Sequence, residues 1–140
     1  KIDKVEKKEL HKILRKMCNR HNKNYYEKYR KWCDEYFYLP HRKESRGIGG
    51  IFFDYKKNNF EKDFKFVRDV GVTFQLIFNK IILKKVKKKW TLKDKDNQYF
   101  KRGRYAEFNL LYDRGTKFGL QTGGNVEGIL MSLPPIAKWK

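Results

Sequence analysis

Cysteine and proline are scarce in this sequence, and long apolar runs are absent from it. The 140 residues include two cysteines, Cys18 and Cys33, which form no CxxC pair. A disulfide framework or a thiolate zinc site is therefore not expected, and a reducing compartment is the simpler interpretation. No stretch approaches the roughly 18 apolar residues of a membrane-spanning helix, so we expect no membrane span. Residues 1–9 alternate charges where a secretory signal would carry an apolar core.

Acidic residues are also in the minority. Lys and Arg number 35 against 16 Asp and Glu, which gives a formal net charge of +19. Hydrophobic residues at 39% and aromatic residues at 16% are too many for a disordered tail. One hypothesis from the charge is a nucleic-acid-binding module, in which lysines contact phosphates and aromatic rings stack on bases. Residues 101–106 approximate an RNA-recognition strand, but Glu107 puts a negative charge where the RNA would lie.

Apolar residues at spacings of three and four predict three helices in the first part of the chain. The first helix is expected over residues 2–18, the second over residues 25–39 and the third from about Phe60 to Lys85. Pro40 ends the second pattern. The third pattern includes Phe60, Phe64, Val67, Gly71, Phe74, Phe78 and Ile81.

Short alternating runs predict strands elsewhere. Residues 51–53 are expected to form a buried strand, and residues 104–112 and 117–120 a pair of strands joined by a turn at residues 113–116. Residues 126–133 predict a short helix. Residues 84–101 have almost no periodic apolar face, which predicts a lysine-rich connector on the surface. The expected fold class is therefore α+β.

Two arrangements could carry chemistry, and each has a structural alternative. Asp113 and Arg114 precede a glycine, and an Arg fork binds a carboxylate at two points while an Asp accepts N–H bonds. A salt bridge within the turn would explain the same pair. Arg46 precedes a glycine-rich turn, residues 47–50, which lets a ligand approach the backbone closely. Such a turn is more often structural than functional.

Several long, ungapped segments resemble one protein family. They are residues 31–39 (KWCDEYFYL), 46–54 (RGIGGIFFD), 103–120 (GRYAEFNLLYDRGTKFGL), 121–124 (QTGG) and 129–135 (ILMSLPP), together with His41 and Arg42. The family that they resemble is oxygen-dependent coproporphyrinogen III oxidase. The resemblance implies an oxidoreductase of haem biosynthesis, which converts two propionates of coproporphyrinogen III to vinyl groups and so gives protoporphyrinogen IX. It also implies dioxygen as co-substrate and no organic cofactor.

The resemblance covers nearly the whole chain and corresponds to the C-terminal half of the family's enzyme. It implies part of a large antiparallel β-sheet flanked by helices, a homodimer, and a dimerisation segment at residues 105–140. We expect residues 1–140 to be truncated at both ends and inactive alone, because the family's proton-transfer histidine belongs to the other half. A cytoplasmic location is expected, with the mitochondrial intermembrane space as the alternative.

Site residues are carried over position by position from the same resemblance. The matching residues are Asp113 and Arg114 as the catalytic pair, Arg46 as a substrate-carboxylate ligand, and Gly123, Gly124 and Asn125 as a substrate-binding loop. Asn125 stands where the family often has Arg, so this loop is less suited to bind a substrate carboxylate through charge.

Histidines provide a further, divalent-metal hypothesis. His11 and His41 match positions that are metal ligands in bacterial members, which is again an implication of the resemblance. Judged on spacing alone, ordinary hydrogen-bonded histidines are favoured, because a metal needs at least three convergent donors. Two other functions stay open beside the oxidase: the nucleic-acid-binding module, and a noncatalytic homologue that uses only the dimerisation segment.

Overall fold

The computed structural model describes residues 3–139, so Lys1, Ile2 and Lys140 lie outside the described part, including the first residue of the expected first helix. Within residues 3–139 no helix is both long and apolar enough to cross a membrane. The elements are α1 (Lys4–His21), α2 (Tyr25–Tyr36), β1 (Tyr38–Leu39), β2 (Glu44–Ser45), α3 (Phe60–Lys85), α4 (Leu92–Leu111), α5 (Arg114–Gln121) and α6 (Val126–Leu130). A 3-10 turn, Pro40–Arg42, joins the two strands.

The expected large antiparallel sheet is wrong, and the α+β assignment with it. In the described part of the chain the sheet consists of β1 and β2 alone, each two residues long. Residues 104–111 of the expected strand lie in α4, which Tyr112 caps, and the expected returning strand at residues 117–120 lies in α5. The fold is therefore α-rich with one small sheet.

The start of α4 explains why residues 104–112 are helical. Thr91 and Asp94 form a capping box, in which Asp94 N donates to Thr91 Oγ1 at 3.2 Å and Thr91 N donates to Asp94 Oδ2 at 2.9 Å. Once a helix is nucleated, each further residue adds a hydrogen bond at little cost, so the helix extends through the alternating run. Residues 84–101 thus hold the end of α3, a turn and the first half of α4, with mostly exposed side chains.

Asp113 begins a helix instead of a hairpin turn. Its backbone is extended, and its Oδ2 accepts a hydrogen bond from Thr116 N at 2.8 Å. This is the geometry of an N-cap, which satisfies one of the unpaired N–H groups of the first turn. Residues 117–120 therefore continue α5 and do not return as a strand.

The expected strand at residues 51–53 is wrong, because within residues 3–139 no segment forms a strand ladder with them. Phe52 N donates to Tyr29 O at 3.0 Å, so this backbone group is satisfied by α2. The Phe53 ring packs against Phe66, with centroids 5.0 Å apart. The run is thus half-buried, held by aromatic contacts and one backbone hydrogen bond to the helices.

The helix predictions of the first part are confirmed. α3 covers the predicted Phe60–Lys85, and the Asn59 side chain caps it by accepting from Lys62 N at 3.0 Å. α1 extends three residues beyond the predicted Cys18. α2 ends at Tyr36, three residues before the predicted Leu39, because Tyr38 and Leu39 pair with β2.

The chain divides into two compact units, each of which is described by itself. The first contains α1, α2 and α3, and the second contains the segment Leu39–Arg46 with α4, α5 and α6. The core of the first unit is a cluster of buried side chains: Met17, Cys18, Tyr26, Tyr29 and Phe66. Burial in this cluster raises the pKa of Cys18 to about 11, so the thiol stays protonated.

A lysine is enclosed by aromatic rings in the same unit. Lys56 Nζ lies 2.9 Å from Asp63 Oδ1 and donates to the hydroxyls of Tyr25 and Tyr29 at 3.2 and 3.3 Å. The Phe66 ring lies 5.1 Å from the same ammonium group. Burial opposes the charge, but the hydrogen bonds to Asp63 and to the tyrosines outweigh it and raise the pKa of Lys56.

Candidate functional site

Charged side chains of the second unit converge on one buried carboxylate, that of Glu107 on α4. Arg42 donates to it twice, from Nε at 3.0 Å and from Nη2 at 2.6 Å, in a bidentate pair. His41 Nε2 lies 2.8 Å from the same carboxylate, and Arg104 Nη1 donates to it at 3.3 Å. The Arg42 hydrogen bond is the main reason why the pKa of Glu107 falls to about 2, since burial acts in the opposite direction. Glu107 is therefore ionised at neutral pH.

His41 connects this carboxylate to Tyr112. Its Nδ1 lies 2.8 Å from the Tyr112 hydroxyl. An ionised carboxylate can only accept, so His41 Nε2 carries a proton and, in the neutral ring, Nδ1 accepts from the Tyr112 hydroxyl. Tyr112 immediately precedes Asp113. The chain Glu107–His41–Tyr112 thus ends beside the predicted catalytic pair.

Asp113 and Arg114 lie at the junction of α4 and α5, not between two strands. Asp113 N donates to Phe108 O at 3.0 Å, and its carboxylate caps α5 through Thr116. Arg114 is the first residue of α5 and is exposed. The cap holds the Asp113 carboxylate in one orientation, while the long side chain beside it reaches towards solvent.

Arg46 lies against α4 near the same junction. Its guanidinium carbon is 5.0 Å from the centroid of the Tyr105 ring and 4.9 Å from that of the Phe108 ring. Such cation–π contacts use the flat face of the guanidinium, whereas hydrogen bonds to a carboxylate use its N–H edge. The two rings therefore orient Arg46 in a way that is compatible with a carboxylate ligand.

The predicted substrate-binding loop follows α5. Gly123 has φ +70°, a conformation that favours glycine. At Gly124 an added Cβ would lie 2.9 Å from Gly119 O, so a side chain would collide with the backbone. Asn125 caps α6 by accepting from Gly128 N at 3.4 Å. The glycines are thus explained by local geometry, and the loop lies at the opposite end of α5 from Arg114, about 12 Å away along the helix axis.

The structure therefore brings four of the predicted site residues to one end of α4: Arg46, His41, Asp113 and Arg114. Their assigned roles stay predictions. His11 belongs to the first unit, where it lies on α1. Its Nδ1 is 3.0 Å from the Tyr26 hydroxyl and its Nε2 is 3.0 Å from Ile48 O, so it connects the glycine-rich turn to α1 and α2.

Both histidines that were predicted as metal ligands are held by hydrogen bonds within the protein. In His11 and His41 both ring nitrogens already have hydrogen-bond partners in the protein. Among residues 3–139, no three His, Cys, Asp or Glu side chains converge on a point where an ion could be held. Each histidine instead links parts of the chain that are distant in sequence through these hydrogen bonds.

Glu107 and Tyr112 are the site residues that sequence reasoning missed. One signal was present: Glu107 is a single acidic residue between the buried Ala106 and Phe108. A carboxylate in an apolar run needs a cationic partner. Nothing in the sequence identified that partner as Arg42, which is 65 residues away.

Comparison with known proteins supports the resemblance. The sequence profile of the family described as coproporphyrinogen III oxidase matches residues 2–140. A relative from Rickettsia rickettsii (strain Sheila Smith), named oxygen-dependent coproporphyrinogen-III oxidase, is 54% identical over 138 residues, which are 98% of this chain and 50% of the relative. Relatives of the same name from Rickettsia bellii (strain OSU 85-389) and Rickettsia akari (strain Hartford) are 55% and 53% identical, over 93% and 96% of this chain and 47% and 48% of their own lengths. The chain thus spans about half the length of these curated relatives.

Proposed function

Because this chain belongs to the coproporphyrinogen III oxidase family, we propose that it supplies half of an oxygen-dependent enzyme that acts on coproporphyrinogen III. The observation that carries the proposal is the match of at least 53% identity over nearly the whole chain to enzymes of that name. The reaction proposed is the oxidative decarboxylation of two propionate side chains to vinyl groups, which gives protoporphyrinogen IX.

The chemistry defines what the protein must provide. Each propionate, –CH₂CH₂COO⁻, becomes –CH=CH₂ with release of CO₂, one proton and two electrons. Two such steps release four electrons, which reduce one dioxygen to two waters. Since dioxygen is the electron acceptor, no organic cofactor is needed in the proposal. The protein's tasks are to hold an anionic macrocycle, to orient the reacting propionate and to manage protons.

Arg46 and Arg114 are suited to the first task. A substrate with four propionates needs cationic, directional partners, and the arginine fork provides them. Arg42 donates twice to Glu107. Following the family resemblance, we assign carboxylate binding to Arg46 and Arg114, and a supporting role to the pair of Arg42 and Glu107.

The carboxylate of Asp113 is suited to accept hydrogen bonds from the pyrrole N–H groups of the substrate. One of its oxygens caps α5, and a carboxylate has further lone pairs that can accept N–H bonds. A negative charge there would also stabilise positive charge that develops on the ring during oxidation. Asn125 can contribute an amide hydrogen bond from the neighbouring loop, but not a charge.

The homodimer is also part of the proposal. Residues 105–140 expose several large apolar side chains: Phe118, Val126, Met131, Ile136 and Trp139. Exposed large apolar side chains are typical of subunit interfaces. The lysine-rich segment gives less support to nucleic-acid binding, because Lys84 and Lys85 contact Glu9 and Glu6 at 3.7 and 3.0 Å.

The test uses a chimera in which this chain replaces the matched half of the Rickettsia rickettsii relative. Conversion of coproporphyrinogen to protoporphyrinogen is measured by chromatography of the oxidised porphyrins, with and without dioxygen. We expect oxygen-dependent turnover by the chimera and none by the 140-residue chain alone. A folded chimera that consumes no coproporphyrinogen would refute the proposal.

A further inference from the structure

α3 carries two apolar stripes, but only one of them is buried within the protein. The buried stripe includes Phe66, Thr73 and Ile77, each less than 9% exposed. Phe66 joins the core cluster with Met17, Tyr26 and other residues of α1 and α2. This stripe accounts for the packing of α3 in the first unit.

The second stripe lies about 100° around the helix from the first. Its side chains recur at spacings of three and four and are between 43% and 78% exposed: Phe60, Phe64, Val67, Phe74, Phe78 and Ile82. The rings of Phe60 and Phe64 stack on each other with centroids 5.9 Å apart, as do those of Phe74 and Phe78 at 5.8 Å. We call these six side chains the outer stripe of α3.

The outer stripe is too regular and too apolar to be a solvated surface. From Phe60 to Ile82 it extends for about 33 Å, and all six of its positions are uncharged in a chain of which 36% is charged. Gly71 falls on the same line, and no atom lies within 4 Å of where its Cβ would be. Exposed apolar patches of this size mark surfaces that bind another polypeptide.

We propose that the outer stripe of α3 is the surface on which the other half of the family's enzyme packs, that is, the half that this chain does not match. The relatives are about twice as long as the match, so a comparable length of polypeptide lies outside it. That other half must bury its own apolar residues, and these can pack against the outer stripe along the whole of α3. The proposal rests on family membership and on the exposure of α3, not on the proposed activity.

The test compares two cysteine variants on opposite sides of the helix. Phe74 on the outer stripe is 66% exposed, and Leu76 on the far side is 65% exposed, so the pair is closely matched. Background reaction is low because Cys18 and Cys33 are buried. F74C and L76C are made in the 140-residue chain and in the chimera with the Rickettsia rickettsii half, whose own cysteines are replaced by serine. The rate of modification by a thiol reagent is measured under native conditions.

In the 140-residue chain both cysteines should react at similar rates. In the chimera F74C should react on the order of 100-fold more slowly than L76C, because reaction then needs local opening. This protection should not change on dilution, since the covering half belongs to the same polypeptide. Equal rates in the chimera would overturn the proposal. Protection that disappears on dilution would overturn it as well, because it would assign the stripe to a second copy of the enzyme.

Discussion

Nε2 of His41 lies 2.8 Å from Oε2 of Glu107, although the two residues are 66 positions apart in the chain. This contact connects the turn between β1 and β2 to the C-terminal part of α4. It also determines which ring nitrogen of His41 faces Tyr112. The orientation of Tyr112, and with it the start of the Asp113–Arg114 segment, therefore depends on the buried carboxylate of Glu107.

Replacing Glu107 by Gln should destabilise the second unit. The amide keeps the shape of the side chain, but it removes the charge and turns an N–H₂ group towards the donors of Arg42 and His41. Losing charge-assisted hydrogen bonds at a buried position costs about 1.5–3 kcal/mol. Urea unfolding of the chain followed by circular dichroism should show this loss. Glu127→Gln on the exposed face of α6 serves as control and should change the midpoint little.

Arg114→Ala should remove most of the activity of the chimera without unfolding it. The side chain is exposed, so its loss leaves no buried cavity. A lost charge-assisted contact with a substrate carboxylate costs about 1.5–3 kcal/mol, or roughly 10- to 150-fold in kcat/KM. Arg102→Ala, an exposed arginine on α4, is the matched control. Full turnover in a folded Arg114→Ala chimera would end the assignment.

Arg46 and the lysines beyond α3 should differ in their effect on substrate binding. Arg46→Gln removes a guanidinium oriented by two rings, so KM should rise at every salt concentration. Replacing the exposed Lys87, Lys88 and Lys89 together with Gln should leave KM nearly unchanged, because salt at physiological concentration screens solvated surface charges. A rise in KM that is steepest at low salt in the lysine variant would instead show that these lysines steer the anionic substrate.

Acid should destabilise the first unit partly through Asp63. Its pKa is held below the ordinary value of 3.8, mainly by the hydrogen bond from Lys56. A carboxyl whose pKa is lower in the folded state contributes stability that is complete above the unfolded pKa and is lost as pH falls through the folded pKa. The difference in urea midpoint between wild type and Asp63→Asn should therefore be constant above about pH 5 and shrink below pH 4.

The helices were predictable where two local signals agreed. Residues 60–85 combine a period of three to four with an asparagine cap at Asn59, and both favour the same start. Residues 104–112 gave conflicting signals, because their apolar alternation favours a strand while the capping box at Thr91 and Asp94 lies 10 or more residues upstream of Arg104. A helix nucleated that far away overrides the local pattern, since helix growth is cooperative.

The candidate site was predictable only through family resemblance. Asp113, Arg114 and Arg46 were identified by matching segments. Spacing alone was compatible with a turn salt bridge for the first two residues and with a structural glycine-rich turn for Arg46. Glu107 could not be identified as their support, because its partners come from a turn some 65 residues earlier and side-chain convergence over that distance leaves no periodic signal. The spacing of the histidines likewise did not identify their partners. His11 is hydrogen-bonded to Tyr26 and His41 to Tyr112.

The enclosure of Lys56 has a consequence for amine chemistry. Acylating reagents attack the deprotonated amine, and this lysine is both 13% exposed and held protonated by Asp63 and two tyrosines. In a chain that is otherwise crowded with accessible ammonium groups, Lys56 should be spared for as long as the first unit stays folded. Mass-spectrometric mapping of acylation at this one residue would then report the unfolding of the first unit without any introduced label.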